Sequence, residues 1–169
     1  MKRILSGVLA LLILLLAITG CSPNNKLLSE EDFNVYRDGK LFMDINDVKN
    51  KSIYLDPDSE TFRGLKLNDT VTKVKELYGN ETVYFVYGSD IPMEKLTVTD
   101  YIKKFPSGEF LIRFDKIYLD GGLYNLEQCI DFPVGTKYTF KTLYIKVSNY
   151  YVSEIKLDYA EATVSDKSS

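Results

Sequence analysis

Few residues in this chain have types that do chemistry, and their spacing limits what they can do. There is no histidine, so Ser-His and Cys-His nucleophile pairs and imidazole metal sites are excluded. Only two thiols occur, Cys21 and Cys129. Asp56-Pro57-Asp58-Ser59-Glu60 alternates its carboxylates as a calcium loop does. It lacks the central Gly and the distal Glu of an EF-hand, so it reads as a solvated turn. No Gly-rich phosphate loop is present, and Asp120-Gly121-Gly122 reads as a turn. Carboxylate-only and Ser-Lys chemistry stays formally open, but no constellation places it. The expectation is a protein with no catalytic residues, no metal and no cofactor.

Cys21 has the most informative surroundings. Met1-Lys2-Arg3 is a short basic start, and Ile4 to Ile18 is apolar apart from Ser6 and Gly7. That run is shorter than the roughly 20 residues of a spanning helix and matches the apolar stretch of a secretory signal. Ile18-Thr19-Gly20-Cys21 then resembles the lipobox of bacterial lipoproteins. The resemblance implies that residues 1–20 are removed as a signal peptide and that the Cys21 thiol is diacylglycerylated. Small residues at 19 and 20 leave a peptidase room at the backbone. Two or three acyl chains exceed the single chain that binds a membrane only marginally. The expected location is therefore the extracytoplasmic face of a cell membrane, with residues 21–32 as a lipidated tether. Once Cys21 is acylated, Cys129 has no disulfide partner, and its apolar surroundings (Leu126 to Ile130) suit a buried, inert thiol.

Without Lys2 and Arg3 the chain keeps 19 basic and 24 acidic residues. This balance argues against nucleic acid and against a polybasic hold on anionic lipid. Lys outnumbers Arg by 17 to 4, a bias that fits an AT-rich genome and a single-membrane bacterium. With 45% hydrophobic residues and 13% aromatics, one packed domain over residues 33–160 is feasible without disulfides. Residues 161–169 are polar and read as a flexible tail.

The elements that position these residues follow from pattern. Asp38-Gly39 between two apolar-containing runs signals a two-residue hairpin. Asn68 to Gly79 reads as a helix, capped by Asn68 or Asp69 and ended by Gly79 in a left-handed turn. Its apolar face is Val71, Val74, Leu77 and Tyr78. Thr82 to Tyr87 reads as a strand and Thr99 to Phe105 as a short helical turn. Glu109 to Leu119 alternates with Phe110, Ile112 and Phe114 on one face. Tyr138 to Val147 and Tyr150 to Tyr159 form a pair turning at Ser148-Asn149. The fold expected is α+β, an antiparallel sheet with one or two short helices packed on one face.

Gly64-Leu65-Lys66-Leu67-Asn68-Asp69-Thr70, Val74 and Leu77-Tyr78-Gly79 resemble a module of small bacterial lipoproteins. It is similar to the BamE-type assembly lipoproteins and to the repeat of β-lactamase-inhibitor proteins. The resemblance spans residues 62–159 loosely, and residues 89–107 read as an insertion into it. It implies the fold more than an activity.

If Leu143, Ile145 and Val147 face inward, alternation turns Tyr138, Phe140 and Tyr144 outward. That aromatic row is the candidate binding face, either open or covered by the 91–105 segment. Two functions follow as expectations. One is a membrane-tethered protein-interaction or scaffold module of the cell envelope, with a protein partner. The other is a tethered accessory protein binding a solute or a cell-wall glycan.

Overall fold

The computed structural model describes residues 28–48, 50–85, 94–119, 122–125 and 133–165. Cys21, Cys129 and Asp120-Gly121 lie outside these residues. Asp38 and Gly39 both take positive φ, 49° and 70°, the tight primed turn that such a dipeptide favours. They join β1 (Val35–Arg37) to β2 (Lys40–Met43). Strand β3 (Ser52–Tyr54), helix α1 (Val71–Tyr78), β4 (Thr82–Phe85), β5 (Glu94–Thr97) and helix α2 (Val98–Lys103) follow. Strands β6 (Phe110–Leu119), β7 (Gly122–Asn125), β8 (Lys137–Ser148) and β9 (Tyr151–Thr163) complete the order.

The protein is α+β. Its main sheet is antiparallel with strand order β3-β9-β8-β6-β7, flanked by the β1-β2 and β4-β5 pairs. Alternation decides the core as expected. Phe110, Ile112 and Phe114 of β6 lie with Leu143, Ile145 and Val147 of β8, and with Ile155, Leu157 and Tyr159 of β9, in one buried cluster. Both helices cover that inner face: Val74 and Tyr78 of α1 and Tyr101 and Ile102 of α2 belong to the same cluster. Tyr78 stacks on Phe114 at 5.5 Å, and Tyr101 meets Phe110 edge-on at 6.4 Å.

Four local readings change. The α1 cap is Thr70, whose side chain accepts from the Lys73 N–H. Asn68 instead takes φ 66°, and Asp69 accepts the Lys66 N–H at 2.8 Å. Backbone bonds from Asn68 N to Val152 O and from Val152 N to Asp69 O dock this turn on β9, each 2.8 Å long. Tertiary pairing therefore moves the cap. Gly79 is right-handed, at φ −56°; it must be Gly because a Cβ there would lie 2.3 Å from the Lys75 carbonyl and 2.7 Å from Thr99 Oγ1. The β8-β9 turn is Asn149-Tyr150, both at positive φ, one residue later than expected. A bulge beside Lys146/Val147 leaves Ser153 without a cross-strand partner and shifts the register.

The domain limits also move. Leu28, Asp32 and Phe33 are buried, so packing starts inside the stretch read as tether. At the other end Thr163 pairs with Lys137, and the Val164 N–H reaches Thr136 O at 2.9 Å. Backbone pairing holds residues 161–164 irrespective of their polar side chains.

One buried ionic cluster ties these pieces together. Arg63 Nε donates to Asp32 at 2.7 Å and its Nη2 to Glu81 at 2.8 Å. Its Nη1 donates to the Leu77 carbonyl at 2.8 Å, closing the C-terminus of α1. The guanidinium carbon lies 4.9 Å from the Tyr78 ring centroid. Burial opposes the charge on Arg63, and the two carboxylates outweigh it and raise its pKa. Arg63→Ala would leave two buried carboxylates without a cation, and should cost about 3–5 kcal/mol in urea unfolding. Arg113→Ala, removing an exposed pair, should cost less than about 1 kcal/mol.

Candidate functional site

On β8, Tyr138, Phe140, Thr142, Tyr144 and Lys146 point away from the core. The described part of the 91–105 segment does not cover them, because Tyr101 and Phe105 pack on Phe110 of the inner face. Tyr138, Phe140 and Tyr144 are each half-buried. They do not form one site: six residues separate Tyr138 from Tyr144, about 20 Å of strand. Phe140 sits across from Ile117 and Ala160, beside a buried Ile117. Tyr138 lines an open cleft of about 440 Å³ with Tyr118, Lys137, Thr139 and Glu161.

Tyr144 belongs to something more ordered. Tyr54 of β3, Lys156 of β9, Tyr144 of β8 and Arg113 of β6 are successive cross-strand neighbours. They make one row across four strands in which aromatic and cation alternate. Lys156 Nζ lies 4.1 Å from the Tyr144 centroid and 6.0 Å from that of Tyr54; the Arg113 guanidinium is 5.6 Å from Tyr144. The next row, Ser52, Asp158, Thr142 and Asp115, is hydroxyl and acid in turn. Lys156 pairs with Asp158 at 2.9 Å and Arg113 with Asp115 at 2.8 Å. Thr142 Oγ1 donates to Asp115 at 2.7 Å. Burial raises the Tyr144 phenol, while Arg113 and Lys156 oppose that shift. The phenol therefore stays neutral, a donor as well as an acceptor.

This row borders a groove of about 490 Å³ whose walls include Leu111, Tyr144, Lys146, Glu154 and Lys156. Tyr54 is 61% exposed and Leu111 46%. The surface thus offers aromatic rings held by cations, with donors and acceptors alternating beside them. Such a surface can bind without further ordering, because the long cationic side chains are already pinned.

Sequence reasoning passed over Lys141, which lies on the inner face two residues before Leu143 and is fully buried. Its ammonium pairs with Glu30 and faces the rings of Tyr118 and Tyr159 at 4.9 and 5.9 Å. Burial pushes its pKa down to about 8. Enclosed in this way it serves as a clamp on the 3-10 turn Glu30–Phe33. Asp56, of the alternating carboxylates, accepts from the Asp58 N–H and pairs with Arg37 at 2.5 Å. Glu60 accepts the Gly39 N–H at 2.7 Å. These oxygens are used by the chain itself.

No family model, no curated protein and no solved structure matches this chain. The surface therefore has to be read from its own chemistry.

Two outcomes are expected. A double-mutant cycle on Tyr144→Leu and Lys156→Met should give a coupling of about 0.5–1 kcal/mol in thermal unfolding. Folded Lys141 releases its proton near pH 8, whereas the unfolded chain holds it to about 10.4. Between those values the unfolded state binds more protons, so this group makes stability rise with pH. Relative to Lys141→Met, the wild type should gain roughly 1–3 kcal/mol from pH 7 to pH 10. Equal profiles would mean that Lys141 is not buried as a charged group.

Proposed function

We propose that this chain is a lipid-tethered, non-catalytic interaction module of a bacterial cell envelope. It holds or inhibits a second envelope protein on the outer face of its main sheet. The observation that carries this reading is the Tyr54-Lys156-Tyr144-Arg113 row across four strands. Tyr and Arg are the residues that dominate protein-binding hot spots, and here they stand on rigid strands away from the core. The lipobox-like Ile18-Thr19-Gly20-Cys21 supports the tether, and the absence of histidine narrows the room for catalysis. The resemblance of residues 62–159 to BamE-type and β-lactamase-inhibitor modules points the same way. A second reading, a tethered binder of a solute or cell-wall glycan, draws on the Tyr118 and Tyr138 cleft. That cleft is open, whereas small ligands favour enclosed sites.

The test is a photo-cross-linking residue placed at exposed Lys146 in intact cells, with exposed Val134 as the control position. The expected result is one envelope protein captured at 146, not at 134, and lost in an Arg113→Ala/Tyr144→Ala variant that melts as the wild type does. A sugar-bearing adduct would favour the glycan reading. No adduct, or the same adduct in the double variant, would sink the interaction surface.

A further inference from the structure

The first described residues are fixed to the domain by three independent means. Leu28 and Phe33 are buried in the core, Asp32 is gripped by Arg63, and Glu30 by Lys141. A chain leaving this segment towards Cys21 has seven residues to do so. Fully extended, they reach about 25 Å, less than the roughly 35 Å width expected of a domain of this size. If Cys21 carries lipid, the surface around residues 28–34 stays next to the bilayer.

That surface holds a cluster of apolar side chains in water. Leu41 is 55% exposed, and Phe42 and Phe62 are each 49% exposed. All three adjoin the anchored segment. Strand β1 begins at Val35, directly after it, and Val35 pairs with Met43, the neighbour of Phe42. Phe62 precedes the Arg63 that grips Asp32, and its ring lies 5.4 Å from Tyr36. Leu41 pairs with Tyr36 across the hairpin, so Tyr36, Leu41 and Phe62 share one face. Phe42 follows Leu41 and faces the other way, under the Arg37 guanidinium at 3.6 Å.

A hairpin apolar on both faces does not suit a flat protein surface, which can cover only one of them. It suits a layer that it can enter. We infer that the β1-β2 hairpin, with Phe62, is a membrane-contact wedge whose occupant is the lipid bilayer itself. Leu41 and Phe42 enter the boundary between headgroups and acyl chains. Lys40 and Arg37, on the Phe42 face, reach back to lipid phosphates as amphipathic side chains do. Shallow insertion of this kind buries apolar groups by about 5–10 Å. The wedge would fix the orientation of the domain, which a flexible tether alone leaves free. This inference rests on the lipid tether proposed above.

The chain contains no tryptophan, so a single introduced indole reports its own surroundings. The experiment uses the full lipidated chain with Phe42→Trp or, as control, Tyr54→Trp on the far edge strand. Each is reconstituted in phosphatidylcholine/phosphatidylglycerol vesicles with or without brominated acyl chains, and acylation of Cys21 is checked by mass. The expected result is a blue-shifted Phe42→Trp emission that loses roughly half its intensity to the brominated lipid, with Tyr54→Trp unquenched. An acylated protein whose Phe42→Trp emission is not quenched overturns the wedge and leaves the tether standing. A blue shift without quenching that grows with protein density assigns the hairpin to a second copy and overturns it too. An unacylated Cys21 overturns the tether and the placement together.

Discussion

The Arg63 guanidinium holds together three pieces of chain that share no strand pairing. The 3-10 turn at Glu30–Phe33 enters through Asp32, the end of α1 through the Leu77 carbonyl, and the link to β4 through Glu81. A buried ion cluster of this kind is weak as a source of net stability, because desolvation offsets most of the Coulomb attraction. Its value is conditional. Once apolar packing has enclosed the three groups, removing any one leaves charge in a medium that cannot solvate it. Position and partner are fixed together, so the helix end, the N-terminal turn and the inner face of the sheet become one unit.

Lys141 extends the same logic to the sheet. Leu143, Ile145 and Val147 make the inner face of β8 apolar, and alternation forces Lys141 onto that face as well. A lysine there is tolerable only because Glu30 comes to it and Tyr118 and Tyr159 turn their rings towards it. The residues that follow the expected tether are thus locked down twice, by Arg63 and by Lys141. This makes geometric sense in a domain whose one covalent link to a membrane would lead out through this segment.

With the inner face consumed by packing, the surfaces left for partners differ in character. The outer face carries pinned cations and half-buried rings on rigid strands, a surface suited to a specific, polar and aromatic contact. The β1-β2 hairpin carries bare apolar side chains on both faces close to the anchor, a shape suited to an apolar layer. The two lie on different elements, so one can be occupied without blocking the other.

The sequence by itself determined what short-range pattern controls. Apolar alternation placed the core faces of β6, β8 and β9, the 3.6-residue spacing of Val71, Val74, Leu77 and Tyr78 gave the buried side of α1, and Asp38-Gly39 gave its turn. Outward orientation of Tyr138, Phe140 and Tyr144 was legible for the same reason. Only the tertiary structure decided the rest, since it depends on which distant residues meet. The row Tyr54-Lys156-Tyr144-Arg113 draws one residue from each of four strands across sixty positions of chain and more, and no local pattern encodes that register. Gly79 looked like a left-handed cap and is instead a close approach of two segments. Lys141 looked like a surface charge in an otherwise apolar strand, because its counter-charge at Glu30 lies 111 residues away. Periodicity reports where a side chain points, while the partner it finds there is a property of the folded chain.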